Sequence, residues 1–111
     1  MSVANFLLAA TKNMILNHGQ VLPVSRRDGT SQNVRFLPEP LADGDIINLR
    51  VEAGINVSNQ NAYDFVTSGD MDIREAVDTI AYGGSNYQIV NVNPQVESGV
   101  QITLHCVGTR R

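Results

Sequence analysis

The chain has 111 residues, with eight Lys+Arg against eleven Asp+Glu, a net charge of −3 and 42% hydrophobic residues. This is a single domain, 1–111, with material for one modest core, and its acidic balance opposes ordinary binding to a nucleic-acid backbone. The longest apolar run, residues 6–10, falls far short of the roughly 18–20 residues of a membrane span, and no basic leader or cleavage pattern precedes it, so a soluble, cytosolic-type protein with no membrane partner is expected.

Residues 2–18 read as an amphipathic helix capped by Ser2, because Val3, Leu7, Ala10 and Met14 recur at steps of four, three and four, flanked by Phe6, Leu8 and Ile15. His18-Gly19 ends it, with the glycine expected in the left-handed position. From there the pattern alternates and β-branched residues become frequent, which makes the remainder a β domain. Gln20 to Ser25 is a first strand, with Pro23 pointing to an edge. Arg26 to Thr30 turns around Asp28-Gly29, Asn33 to Leu37 returns, and Pro38-Glu39-Pro40 is expected to stop that strand. Residues 41–61 form a long, mobile, partly ordered excursion containing a strand-like stretch, Ile46 to Val51. Loops of such length in compact domains tend to carry function. Tyr63 to Thr67 can rejoin the sheet, and Asp70, Asp72, Glu75 and Asp78 mark a charged, solvated connection. A meander follows within 62–107: strand 76–82, a turn at Gly83-Gly84-Ser85, strand 86–92, a joining segment 94–99 and strand 100–107, with a basic tail at 108–111. In the last strand Val100, Ile102, Leu104 and Cys106 face one way, and Gln101, Thr103 and His105 the other. The fold class is therefore mainly β (α+β): a small antiparallel barrel or sandwich with an N-terminal helix and a long central loop.

Catalytic and metal chemistry find little support. His18, His105, Cys106 and Asp43-Gly44-Asp45 make no ligand motif, and adjacent residues His105 and Cys106 face opposite sides of a strand. The single cysteine lies on the apolar side and is expected to be inert, and an oxidising compartment is not implied. No serine sits in a nucleophile elbow, and the carboxylates from Asp64 to Asp78 lack the apolar surroundings that would raise a pKa. No enzyme activity, cofactor or metal is expected. Arg26-Arg27 and Arg110-Arg111 are basic doublets at a turn and at the chain end, suited to solubility or to contact with phosphate or an acidic partner.

The segment 76–94, in which a strand leads through a glycine turn into Tyr87-x-Ile89-x-x-Val92-x-Pro94 and then to an alternating final strand, resembles the head completion proteins of tailed bacteriophages. The overall plan of N-terminal helix, small barrel, long central loop and C-terminal arginines is similar to the lambda-type tail-attachment proteins and the stopper proteins of phage connectors. The resemblance implies a non-enzymatic virion protein of the neck, made in the host cytoplasm. Such a protein would form a ring with itself, a hexamer, below the portal or adaptor ring, close the DNA-filled head, and meet a tail terminator or tail tube protein. Within that expectation the segment carrying Leu41, Asp43, Asp45, Ile46, Ile47, Leu49, Arg50, Val51 and Glu52 is the candidate subunit interface, through charge pairs and apolar packing. Arg26, Arg27, Arg110 and Arg111 are candidates for contact with the packaged DNA in the channel or with a partner.

Two alternatives remain. A tail terminator or tail-completion ring protein would differ only in location. A single-stranded nucleic-acid-binding protein with an OB-like barrel fits the length, but it would need Phe36, Phe65, Tyr82 and Tyr87 to line a groove.

Overall fold

The computed structural model describes residues 2–51, 54–55, 57–58 and 61–110. In chain order these form α1 (Val3–His18), β1 (Gln20–Ser25), β2 (Ser31–Pro40), α2 (Asp43–Val51), β3 (Ala62–Ser68), β4 (Thr79–Tyr82), β5 (Ser85–Glu97) and β6 (Val100–Arg110). All six strands are antiparallel and close into a barrel in the order β1-β2-β3-β6-β5-β4. The expected small barrel with an N-terminal helix is thus the architecture, closed rather than a sandwich.

Three turns follow directly from local chemistry. Arg26 N–H donates to the Thr30 carbonyl at 2.9 Å, and Gly29 sits at φ 91. Gly83 and Gly84 join β4 to β5 with φ 60 and 80, and Ser98 and Gly99 join β5 to β6 with φ 49 and 79. Both two-residue loops carry the paired positive φ values of the hairpin turn whose twist matches its strands.

Alternation then fills the barrel. Val24, Phe36, Phe65, Ile80, Ile89 and Cys106 are fully buried, and each large apolar side chain so placed contributes about 1.5–3 kcal/mol. Five of the six aromatics belong to this interior: Phe36 meets Phe65 edge-on at 6.1 Å, and Tyr63, Tyr82 and Tyr87 interlock around Phe65 at 5.4–6.3 Å. A bulge at Val90 and another at Ile102 shift the β5–β6 register, bending the longest hairpin around the barrel.

Several expectations are corrected. The strand expected to stop at Pro38 runs on to Pro40: β2 leaves β1 after Phe36 and pairs with β3 from Leu37 to Pro40. Over that stretch it has a strand on one side only, where missing N–H groups are tolerated. Pro23 fits the same rule, since β1 pairs with β4 only at Val24 and Ser25. The first meander strand is shorter than expected because Glu75 to Val77 form a turn with Ala76 at φ 62. The C-terminal tail is no tail as far as Arg110, since Gly108 to Arg110 continue β6; Arg111 lies outside the described residues. Gly19 is extended (φ −82) rather than left-handed. Its requirement is space, for a Cβ there would lie 2.6 Å from the Ile15 carbonyl oxygen and 2.8 Å from that of Phe36.

The largest correction concerns residues 41–61. Asp43–Val51 is a helix, not a strand-like stretch in a mobile loop. Asp43 and Asp45 in its first turn and Arg50 in its last complement the helix dipole, and Ile46 and Leu49, three apart, turn to one side. Ile46 N–H donates to the Ala42 carbonyl at 3.1 Å, and Arg50 Nε donates to the Val57 carbonyl at 2.7 Å. Short apolar runs of this kind satisfy strand and helix periods equally; docking on the barrel decides. A second small core results, in which Leu41, Ile46, Val57, Ala62 and Val107 are buried together.

Candidate functional site

α1 lies on the outer wall over β6, β3 and β2. Ser2 caps it, accepting from Asn5 N–H at 3.1 Å. Its buried stripe is Ala4 and Ile15, with Leu8 and Thr11 half-buried between them. The stripe expected to face the core, Val3, Leu7, Ala10 and Met14, faces solvent. Val3 is 74% exposed, Phe6 63%, Leu16 61% and Met14 46%. Apolar residues occupy most of this helix's circumference, so spacing alone does not select which stripe meets the barrel; the small side chains of Ala4 and Thr11 allow the closer approach. Phe6 is the one aromatic outside the interior cluster.

α2 places the candidate interface residues on two sides. Leu41 and Ile46 are buried in the chain's own second core, and Leu49 packs against it. Asp43, Asp45, Ile47, Arg50 and Val51 are exposed, Ile47 at 60% and Val51 at 77%. Glu52 lies outside the described residues. The outer half of the candidate set is therefore exposed, while the inner half holds the fold.

The basic doublets divide in the same way. Arg26 reaches across the β1–β4 seam, donating through Nε to Asp78 Oδ1 at 3.1 Å and through Nη2 to the Asp72 carbonyl at 2.6 Å. Asp78 has no exposed side-chain surface, and its Oδ2 accepts from Arg74 N–H at 2.8 Å. The charged connection expected to be solvated thus holds a buried carboxylate paired within the chain. Since β1 and β4 share only Val24↔Ile80 and Ser25↔Thr79, the Arg26–Asp78 pair is the next rung of the narrowest joint in the barrel. Arg26 is therefore a closing residue of the barrel rather than a free contact. Arg27 is exposed and donates to the Ala76 carbonyl at 3.3 Å. Arg110 ends β6, its N–H donating to the Asn61 carbonyl at 2.6 Å.

A polar cleft missed by sequence reasoning opens between α2 and the barrel. It has a volume of about 550 Å³, with Glu39, Asp45, Asn48, Asp64, Asn91 and His105 among its lining residues. His105 Nδ1 lies 2.8 Å from Asp64 Oδ2. The hydrogen bond to that carboxylate raises the His105 pKa above its ordinary value, against the opposing effect of burial, and Glu39 and Asp45 add to the rise. Asp64 Oδ1 is buried with no partner among the described residues. The pair orients an imidazole, and no serine, threonine, cysteine, lysine or tyrosine lines the cleft among the described residues. The only hint in the sequence was that both residues sit at outward positions, and only the β3–β6 register makes them neighbours.

Cys106 is buried in the barrel, and burial pushes its thiol up to about 12. Asp43 and Asp45 belong to the first turn of a helix, and no group of three or more His, Cys, Asp or Glu among the described residues could hold a metal ion.

The fold and its surfaces define a small closed β-barrel bearing two surface helices, one exposing a largely apolar side and the other exposing Ile47 and Val51 among charged residues. The chain matches no family model, no curated protein and no solved structure.

Proposed function

We propose that the chain is a non-enzymatic structural subunit of the neck of a tailed bacteriophage, which closes the DNA-filled head and presents the surface on which the tail docks. Its own copies form a ring, a hexamer by the resemblance of the Tyr87, Ile89, Val92 and Pro94 hairpin, between a portal or adaptor ring and a tail terminator or tail tube. The observation that carries this reading is the exposed apolar surface on both helices of one small barrel, Val3, Phe6, Met14 and Leu16 on α1 and Ile47 and Val51 among charged residues on α2. A ring subunit meets a different neighbour on each side, and burying apolar surface is the principal gain on association. Among the described residues of the basic doublets, Arg27 and Arg110 are exposed, which suits them to channel DNA or an acidic partner. The single-strand-binding alternative loses its stacking platform, because Phe36, Phe65 and Tyr87 are buried in the barrel.

The test is in vitro joining: DNA-filled heads made without this protein are mixed with purified tails, with or without the recombinant chain, and infectious particles are counted. A rise in titre with labelled chain located at the neck is the expected result. No rise, or label at the far end of the tail tube, would overturn it in favour of a tail-completion role.

A further inference from the structure

The polar cleft between α2 and the barrel has a one-sided charge. β2 contributes Glu39, α2 Asp45 and β3 Asp64, while His105 from β6 is the one basic group lining it among the described residues. Arg50, the single arginine of α2, donates to the Val57 carbonyl instead. Three carboxylates against one imidazole leave the cleft negative whether or not His105 carries its proton. Glu39 and Asp64 are moreover direct cross-strand partners in the β2–β3 register, an opposition of like charges that weakens a sheet. Asp64 is only half used: its Oδ2 lies 2.8 Å from His105 Nδ1, while Oδ1 is buried with no partner among the described residues. A buried acceptor without a donor costs stability, so both the charge and the hydrogen bonding of the cleft are left incomplete within the chain.

We propose that this cleft binds a guanidinium group, presented by a free guanidino compound or by an arginine side chain of a partner. The negative charge calls for a cation, and the make-up of the lining selects which one. A metal ion is not served, because no group of three or more His, Cys, Asp or Glu among the described residues could hold it. The carboxylates come instead from three separate elements and are accompanied by the amides of Asn48 and Asn91. A guanidinium carries five N–H donors in one plane and keeps its charge at any ordinary pH, so it can bond a carboxylate and neighbouring amide carbonyls at once. An ammonium is a compact point charge and gains less from acceptors so spread. Size and the rest of the lining agree. A volume of about 550 Å³, with Pro40 and Leu49 beside the polar groups, is that of a small-ligand site with an apolar wall for the methylene stem of an arginine. The unpartnered Asp64 oxygen supplies an acceptor that such a donor would satisfy. The site is independent of the neck reading, which the joining assay tests separately.

The experiment titrates the full chain with n-propylguanidine, an arginine side chain without its backbone, and separately with the blocked tripeptide acetyl-Gly-Arg-Gly-amide. NMR follows the His105 ring and the side-chain amides of Asn48 and Asn91. The amine counterparts, n-butylamine and the same tripeptide with lysine, control for charge alone. Saturable shifts confined to the cleft are expected, with the amines at least about tenfold weaker. Glu39→Gln and Asp45→Asn, both at exposed positions, should each weaken binding about tenfold while leaving the circular dichroism spectrum unchanged. Asp43→Asn, in the first turn of α2 but outside the cleft lining, should bind as the parent does. Binding of n-propylguanidine but not of the tripeptide supports the proposal with a free compound as the ligand; binding of the tripeptide supports it with a partner's arginine. Equal affinity for amines and guanidines would reduce the cleft to a diffuse negative surface and overturn the proposal. So would shifts insensitive to both Glu39→Gln and Asp45→Asn, or no saturable shift with either guanidino probe up to about 10 mM.

Discussion

Replacing Arg26 with alanine should unfold much of the margin on which this barrel stands, although Arg26 and Arg27 are neighbours of the same type. Arg26 retains 17% of its side-chain exposure and Asp78 none, so the pair is largely shielded from water. Removing one partner of a buried pair costs about 3–5 kcal/mol. Because Asp78 keeps the Arg74 N–H, the lower end, about 3 kcal/mol, is expected. Domains of this size have about 5–15 kcal/mol in total, and each kcal/mol shifts Tm by about 4–8 °C, so Arg26→Ala should lower Tm by about 12–24 °C. Arg27→Ala removes one exposed bond to a carbonyl and should stay within about 0.5 kcal/mol of the parent. Urea unfolding at pH 7 followed by far-ultraviolet circular dichroism measures both. Combining Arg26→Met with Asp78→Leu should recover at least half of the loss, since apolar replacements of both partners leave no buried charge. A loss below about 1 kcal/mol for Arg26→Ala, equal to that of Arg27→Ala, would refute the seam-closing role.

Gly69→Ala should cost more than about 3 kcal/mol or prevent folding, because a Cβ there would meet the Gln101 carbonyl oxygen at 2.0 Å; Gly44→Ala in α2, with open space around it, should be neutral or stabilising by up to about 1 kcal/mol in the same urea assay. The His105 ring, titrated by NMR, should show a pKa above 6.5. Because the folded value exceeds the unfolded one, its stabilising contribution is complete below the ordinary histidine range and fades as pH rises through the raised value. His105→Gln should therefore lose more stability relative to the parent at pH 5.5 than at pH 8.5, and an equal loss at both would refute the Asp64 pairing. Cys106 should resist a thiol reagent in the native state at pH 8 and react at once in denaturant; rapid native labelling would contradict its burial.

Sequence and structure agree where the determining physics is local. Gly29 and the Gly83-Gly84 pair turn because their own backbones adopt positive φ, and β6 alternates because period two follows from the pleat, whereas the joining segment expected over 94–99 is strand as far as Glu97, with the turn confined to Ser98 and Gly99. They part where a distant surface decides. Ile46 to Val51 carries apolar residues that suit either a strand or a helix, and only the seat formed by Ala62 and Val107 turns Ile46 inward on a helix. α1 was legible as a helix, yet its buried stripe was not, because Val3, Leu7, Ala10 and Met14 are as apolar as the residues that the barrel actually covers. Of the candidate interface, the exposed half of α2 and Arg27 remain available to a partner, while Leu41, Ile46 and Arg26 turned out to serve the chain's own fold.

What the chain by itself determined is a mainly β domain with one capped helix, two tight turns and an alternating apolar set sufficient for one interior, since each of these is fixed within a few residues by dihedral preference and side-chain period. What the tertiary structure decided is closure. Arg26 and Asp78 are separated by 52 positions, and Asp64 and His105 by 41. Pairs so distant acquire meaning only when strand register brings them together, because charge and hydrogen bonding act over a few ångströms of space and not along the chain.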